Sequence, residues 1–319
     1  MAFRKPRKAK IGGKFLVYGK SNEGKSYFGL TFPKIGAIDS ETGLAFYEDT
    51  PIEIGEKTYN NIEFVDTTSD LDTLEEDLDE IIEGDIDIET LLVDSETKFY
   101  NTMDIGATEA EEKKAKLNSK NVDTRSKWGR VKNINMKFQQ AKITASAKGF
   151  HVVSTAQAKD VLDDNNKVIG HTYEAHKSLK FDYDVVLYFY TEEDKKTHER
   201  KFCALVEKDR TQVTKVGDII ENCTYDIWKS YFDERNGLKT IDANFKKDLN
   251  NSTTSVLNDS ELATKLSKEI KSLIISYKGD TDKTKKIKKI SDELEIDIKS
   301  MDLEPSSKLE KFKKSIEQL

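Results

Sequence analysis

Residues 15–30 read Phe-Leu-Val-Tyr-Gly-Lys-Ser-Asn-Glu-Gly-Lys-Ser-Tyr-Phe-Gly-Leu, and this stretch decides the fold. The apolar run Phe15-Leu16-Val17-Tyr18 predicts a short buried strand. Gly19 and Gly24 bound a turn, and the pattern predicts a helix from Lys25 to Phe32, ended by Pro33. Gly19, Lys20, Ser21, Asn22, Glu23, Gly24, Lys25 and Ser26 match G-x-x-x-x-G-K-[ST]. In that pattern backbone N–H groups surround a phosphate, the lysine reaches its outer oxygens and the last hydroxyl is offered to Mg2+. With Tyr27 immediately after it, the whole segment is the expected nucleotide-binding element. Strand, loop, helix is the context it needs.

Working outward, Ile35-Gly-Ala-Ile38 is a second apolar run and leads into Asp39-Ser40-Glu41. Leu71, Leu74, Leu78, Ile81 and Ile82 recur at helical spacing behind the capping residues Thr68 and Ser69, which predicts an amphipathic helix lying on one face of a sheet. Thr90 to Asp94 and Gly149 to Thr155 read as the third and fourth strands. Asp184 to Tyr190 and Lys201 to Glu207 follow, joined by a charged hairpin turn near Glu192 to Lys196. Continuous apolar strands alternating with helices predict an α/β fold, with a mostly parallel central sheet covered on both faces. The closely spaced later strands predict an antiparallel extension at one edge. Beyond Tyr231 the character changes: residues 249–259 read as a linker. Leu262, Leu266, Ile270, Leu273, Ile274 and Tyr277 then form a helical stripe closed by Gly279. A Lys-rich helix near Thr284 to Leu294 and a last one begun by Pro305 complete the chain. The expected division is a basic tail over 1–13, an ATPase-type core over 14–248, the linker, and a helical domain or arm over 260–319. That arm either attaches the protein to a partner or a neighbouring subunit, or simply packs.

At 319 residues the chain can bury one large core and a small second one. Its net charge of -7 argues against a uniformly basic coat, yet the charge is uneven. Asp66 to Glu89 holds twelve acidic residues and no Lys or Arg; Lys113 to Lys148 holds eleven basic residues and one acidic one, and the first fourteen residues add six more basic ones. A polyanion could meet two positive tracts, unless these are ordinary solvated helix faces. No stretch approaches the roughly 18 apolar residues of a membrane helix, and the start lacks the apolar core of a secretion signal, so the expectation is a soluble, cytoplasmic protein with no membrane contact. Cys203 and Cys223 match no metal spacing and read as reduced structural thiols.

A phosphate loop needs a carboxylate to hold the magnesium's water shell, usually at the end of a buried strand. Asp94, ending Leu91-Leu-Val-Asp, is that residue, with Ser26 as the other metal-side group. Water next to the γ phosphate needs a base. Glu23, Glu41 and Glu96 compete for the role. The loop should point Glu23 outward and the immediate neighbour of Asp94 is Ser95, so Glu41 is favoured.

Ile38-Asp39-Ser40-Glu41, Leu92-Val93-Asp94-Ser95 and Ser154-Thr155-Ala156-Gln157 resemble the successive motifs of RecA-like recombinases and helicases. The chain is most similar to the phage-encoded, core-only branch, often described as phage nucleotide-binding proteins or single-strand annealing ATPases, over roughly Lys14 to Phe232. The resemblance implies ATP and Mg2+ as cofactors, Lys25 on the phosphates, Glu41 as catalytic glutamate, and Gln157 as the sensor of the γ phosphate. It implies that Lys208 and Arg210, in Val206-Glu-Lys-Asp-Arg-Thr211, act on the nucleotide of an adjacent subunit in a homo-oligomer. It also implies two DNA-contacting loops, here at roughly Asn101 to Lys132 and Ala158 to Lys180. The first offers Arg125, Lys127, Arg130 and Lys132 around Trp128, which either stacks on a base or belongs to a core. The second contains the turn signal Asp163-Asp-Asn-Asn166 with Lys159 and Lys167. His171 and His176 lack a third ligand for a metal. The implied activity is DNA-stimulated ATP hydrolysis driving single-strand annealing or strand exchange in phage recombination and replication, in the cytoplasm of a bacterial host. The helical C-terminus would then hold a single-strand-binding protein or another replication partner. A helicase or helicase-loader motor, and a non-hydrolysing ATP-dependent interaction protein, are the alternatives.

Overall fold

The computed structural model describes residues 3–117, 119, 121–193 and 198–319, which divide into two compact units at Lys246/Lys247. The first unit begins with β1 (Lys14–Gly19), α1 (Lys25–Leu30), β2 (Ile35–Asp39), the small hairpin β3 (Ile52–Ile54) and β4 (Lys57–Tyr59), β5 (Ile62–Thr67), α2 (Leu71–Glu83) and β6 (Thr90–Asp94). It continues with α3 (Glu96–Leu117), α4 (Thr124–Ala147), β7 (His151–Leu162), β8 (Val168–Tyr173), α5 (Leu179–Asp182), β9 (Val185–Glu193), β10 (Arg200–Asp209), β11 (Ile219–Glu221) and α6 (Asp226–Asp233). Next come α7 (Phe245–Ser276), α8 (Thr281–Glu293) and α9 (Ser306–Glu317). Among the described residues no helix is long and apolar enough to cross a membrane.

The sheet runs β11-β10-β9-β1-β7-β6-β2-β5. From β9 to β5 every pairing is parallel; β10 and β11 add the antiparallel edge, so the α/β architecture with a mostly parallel sheet expected from the sequence is the one observed. The β9–β10 turn was expected near Glu192 to Lys196; its residues 194–197 lie outside the described set. Side chains alternate across each strand. Leu16 and Tyr18 join the core beneath α2, α3 and α4, while Phe15 and Val17 join the opposite core with α1 and α6. In the latter, Phe15, Phe32 and Trp228 meet edge to face, with Phe15–Phe32 centroids 5.0 Å apart and Phe15–Trp228 centroids 5.4 Å apart. Such contacts add to the area burial of each ring.

Register places the chemistry. Gly19 is level with Gln157, and Asp39 with Asp94, so the phosphate loop, Glu41, Asp94 and Gln157 all emerge at the carboxyl ends of neighbouring parallel strands. That edge is where open α/β sheets bind ligands.

Four local expectations are revised. The cap of α2 is Asp70, whose Oδ1 accepts the N–H groups of Asp72 and Thr73; Thr68 instead accepts the N–H of Asp70. The stretch Asn101 to Lys132, expected as a loop, is a helical hairpin: α3 runs to Leu117, and α4 starts at Thr124 behind the Asp123 cap. Met103, Ala107, Val131 and Phe138 bury in the core there, which no open loop would do. Within the basic segment 1–13, Arg7 donates to the carbonyls of Lys239 and Thr240, and Lys8 pairs with Glu234 at 3.0 Å, so these cations lie against the chain after α6. Residues 249–259, read as a linker, are helical within α7: Asn, Ser and Thr cost only a few tenths of a kcal/mol each, and the stretch holds no Gly or Pro.

The second unit has its own core, built from Ala263, Leu266 and Ile270 of α7, Ile287 of α8, and Leu309, Phe312 and Ile316 of α9. The expected stripe is therefore a packing face from Leu266 to Tyr277, while Leu262 is exposed.

Candidate functional site

The phosphate loop turns on two left-handed residues, Asn22 at φ 60° and Gly24 at φ 92°. A side chain at Gly24 would be strained in that region, so glycine is required where the loop enters α1. Lys25 and Ser26 open the helix. The Lys25 ammonium donates to the carbonyl of Lys20 at 2.6 Å. Burial pulls its pKa down, opposed by the nearby carboxylates of Asp94, Glu23 and Glu41, so one cation sits among three acids. Ser26 Oγ donates to Asp94 Oδ2 at 2.7 Å, and Thr155 donates to Asp94 Oδ1. Burial raises the Asp94 pKa, and two hydroxyls only partly offset it. A hydroxyl and a buried carboxylate already in contact fit a magnesium ion that keeps most of its waters, and a divalent charge would remove the burial penalty on Asp94.

The three glutamates separate by burial. Glu23 does not point outward; it is 9% exposed and its carboxylate accepts the N–H of Lys20, an amide the loop would otherwise leave unpaired. Glu96 is buried, paired with Lys142 and accepting from Tyr183 at 3.0 Å. Glu41 alone of the three is exposed. Its Oε1 accepts from Ser95 Oγ at 2.8 Å and from Gln157 Nε2 at 3.3 Å. The loop carrying it is fastened at both ends: Asp39 accepts the N–H groups of Glu41 and Leu44, and Ser40 binds the Asp94 carbonyl through its N–H and its hydroxyl. Ser40, Ser95 and Thr155 escaped the sequence reading. Their only signal was a hydroxyl beside an acid at a strand end.

Lys25, Ser26, Asp94, Glu41 and Gln157 are thus brought together. Lys208 and Arg210 are elsewhere. Lys208 is level with Val186 whereas Gly19 is level with Phe189, which sets the pair toward the amino end of β1. Lys208 donates to the carbonyls of Lys180, at 2.8 Å, and Tyr183, and burial lowers its pKa. Arg210 pairs with Asp184 at 3.2 Å.

The cations expected to contact DNA fall into two groups. On the helical hairpin Lys127 pairs with Asp104 at 2.8 Å, and Arg130 with buried Glu111 at 3.2 Å; Arg125 and Lys132 are exposed. Trp128 is 47% exposed beneath the Lys127 ammonium, so it belongs to no core. Lys159 and Lys167 are exposed on the β7–β8 hairpin, whose turn is set by Asp163 accepting from the N–H groups of Asn165 and Lys167. That hairpin starts at Gln157 and is tied back to the phosphate loop through Asp160, which takes Lys20 at 3.3 Å and His171 at 3.0 Å. A further cation went unnoticed in the sequence: Arg200 of β10 donates to the Asn22 carbonyl at 3.1 Å.

The family model described as an AAA domain matches residues 11–216. Among solved structures, the chain is similar to a KaiC-like protein from the hyperthermophilic archaeon Pyrococcus horikoshii OT3 at 15% identity, with 66% of this chain and 84% of that one covered and a TM-score of 0.38. It is also similar to the flagellar accessory protein FlaH from Methanocaldococcus jannaschii at 10% identity, with 67% and 85% covered and a TM-score of 0.36. No curated protein matches the sequence.

Proposed function

The chain belongs to the AAA domain family, and on that premise we propose that it hydrolyses ATP with Mg2+ and uses the cycle to grip and anneal single-stranded DNA, in the manner of the phage-encoded core-only RecA-like ATPases. Loop amides and Lys25 would hold the phosphates, and Ser26 with Asp94 would hold a magnesium ion, which would supply neutralisation of charge growing on the γ phosphate. Glu41 takes the proton of the attacking water. Ser95 fixes the Glu41 carboxylate. Gln157 donates to the same carboxylate.

The observation that carries this reading is the Glu41–Gln157 contact at the root of the β7–β8 hairpin. A change at the γ phosphate that moves Gln157 acts directly on a strand whose far end exposes Lys159 and Lys167, cations suited to a DNA backbone. Arg210, exposed and away from its own phosphate loop, would serve a neighbouring subunit's nucleotide in a homo-oligomer. Lys208, committed to carbonyls of its own chain, would help position that edge. The second unit supplies a surface for a replication partner.

Steady-state ATP hydrolysis with and without single-stranded DNA, alongside annealing and unwinding assays, tests the reading. DNA-stimulated hydrolysis with annealing and no unwinding is expected. Hydrolysis absent under both conditions, with Glu41→Gln changing nothing, overturns it; DNA-stimulated unwinding would make the protein a motor instead.

A further inference from the structure

β6 stops pairing with β7 at Val93 and Ser154, but β7 runs on to Leu162 as one arm of its hairpin with β8. Beyond Ser154 the turn from β6 into α3 holds its neighbours through side chains instead. Thr155 donates to Asp94, Ser95 Oγ donates to Glu41 Oε1 at 2.8 Å, and Thr97 Oγ1 accepts the Gln157 N–H at 2.9 Å. The same Thr97 hydroxyl donates to the carbonyl of Glu174, the residue after β8, at 2.7 Å.

Two residues opposite each other in a hydrogen-bonded antiparallel pair exchange both of their N–H···O=C bonds. Gln157 and Glu174 stand one step beyond the Ala158–Tyr173 pair, and the Glu174 N–H reaches the Gln157 carbonyl at 2.8 Å. The return bond is replaced: the Gln157 N–H goes to Thr97, and the Glu174 carbonyl takes the Thr97 hydroxyl. One side chain is thus spliced into the root of the ladder. Thr97 is 1% exposed, so water does not compete for its hydroxyl, and its β-branched side chain has few rotamers to choose from. The turn that carries it is anchored by its neighbour Glu96, which pairs with buried Lys142 and accepts from Tyr183. The backbone of Gln157 is therefore placed from α3, and the reach of its amide to Glu41 Oε1 at 3.3 Å follows from that placement.

We propose that Thr97 is a positioning residue, which sets Gln157 against Glu41 by standing in the last pair of the β7–β8 ladder. This role rests on Glu41 and Gln157 acting on ATP, as set out above. Without the hydroxyl, Gln157 and Glu174 can close the ladder directly, which draws Gln157 toward β8. Thr31, at the far end of α1, is the matched control: it is 4% exposed, accepts the Tyr225 N–H at 2.9 Å and donates to the Phe28 carbonyl at 2.7 Å. Steady-state ATP hydrolysis by the full-length chain, with kcat and KM read separately and folded fraction checked by urea unfolding, tests the role. Thr97→Val should lower kcat by about tenfold to a hundredfold, with KM within about twofold of the wild type. Thr97→Ser, which keeps the hydroxyl, should stay within about threefold of the wild-type kcat. Thr31→Val should lose stability while keeping kcat per folded molecule. A wild-type kcat in Thr97→Val, or a fall as large in Thr97→Ser or Thr31→Val, overturns the role and leaves the ATPase reading standing. A wild type that hydrolyses no ATP removes both.

Discussion

The two ends of the parallel sheet carry the same kinds of polar residue and use them in opposite ways. At the amino end His151 and Asp184 find their partners within the chain. His151 accepts the Gly13 N–H on Nδ1 at 3.0 Å, which leaves its proton on Nε2 to meet Tyr225 Oη at 3.0 Å, and burial holds its pKa down at about 3. Asp184 takes the Lys14 N–H, the Lys14 ammonium at 2.7 Å and Arg210 at 3.2 Å. At the carboxyl end the groups share too few partners: half-buried Asp94 sits on hydroxyls with its pKa raised, half-buried Lys25 has its pKa lowered, and Glu41 is exposed on two neutral donors. Satisfied polar groups stabilise; a lysine and a carboxylate displaced from their ordinary pKa beside an exposed glutamate at the carboxyl ends of parallel strands mark a place suited to a ligand.

That contrast can be broken at either end. The largest effect should come from Glu41→Gln, which removes the base and leaves the fold: kcat for ATP hydrolysis is expected to fall by about 10²–10⁴ with nucleotide affinity retained, measured by steady-state kinetics and titration. Asp94→Asn should cost about 10²–10³ in hydrolysis. Because burial raises the folded-state pKa of Asp94, the native chain holds this proton to higher pH than the unfolded one, and stability is lost as pH rises from the ordinary carboxylate value through the folded one. The same substitution should therefore raise the nucleotide-free melting temperature at neutral pH, and a drop would contradict the account.

At the other end, His151→Ala should leave hydrolysis per folded molecule unchanged and destabilise by about 2–4 kcal/mol, through a cavity and two stranded polar groups, read by urea unfolding. The wild-type imidazole also predicts acid sensitivity. Its folded pKa is depressed to about 3, so between about 6.5 and 3 the unfolded chain gains a proton that the native one refuses. Stability is fully present above that window and falls with pH at up to about 1.4 kcal/mol per unit inside it. The slope should flatten in His151→Gln. The smallest effect concerns the exposed cations: Lys159→Ala with Lys167→Ala should reduce the slope of log affinity for single-stranded DNA against log salt by about two, and an unchanged slope would detach the hairpin from DNA.

Much of the catalytic edge was legible because its signals are local. The phosphate loop is eight contiguous residues, and Leu91-Leu-Val93 before Asp94 is an unbroken apolar run, as burial on both faces demands. The α3/α4 helical hairpin was hidden by its neutralisation: Lys127 and Arg130 look like a free basic tract until Asp104 and Glu111, some twenty residues earlier, fold onto them. β5 was missed because its sequence Ile-Glu-Phe-Val-Asp-Thr does not keep a continuous apolar run, being an edge strand with half-buried and exposed residues. Glu23 was misjudged because an unpaired amide three residues away decides where its carboxylate goes.

By itself the sequence determined the segment β1, loop and α1, the parallel strands β2 and β6 and the amphipathic helix α2, since these depend on residue periodicity and on contiguous motifs. Only the tertiary structure decided which of three glutamates is exposed, that Ser95 and Gln157 share its carboxylate, and that Arg200 holds a carbonyl of the loop. Those choices rest on burial and on hydrogen bonds between residues far apart in the chain, and neither is encoded in the spacing of the residues themselves.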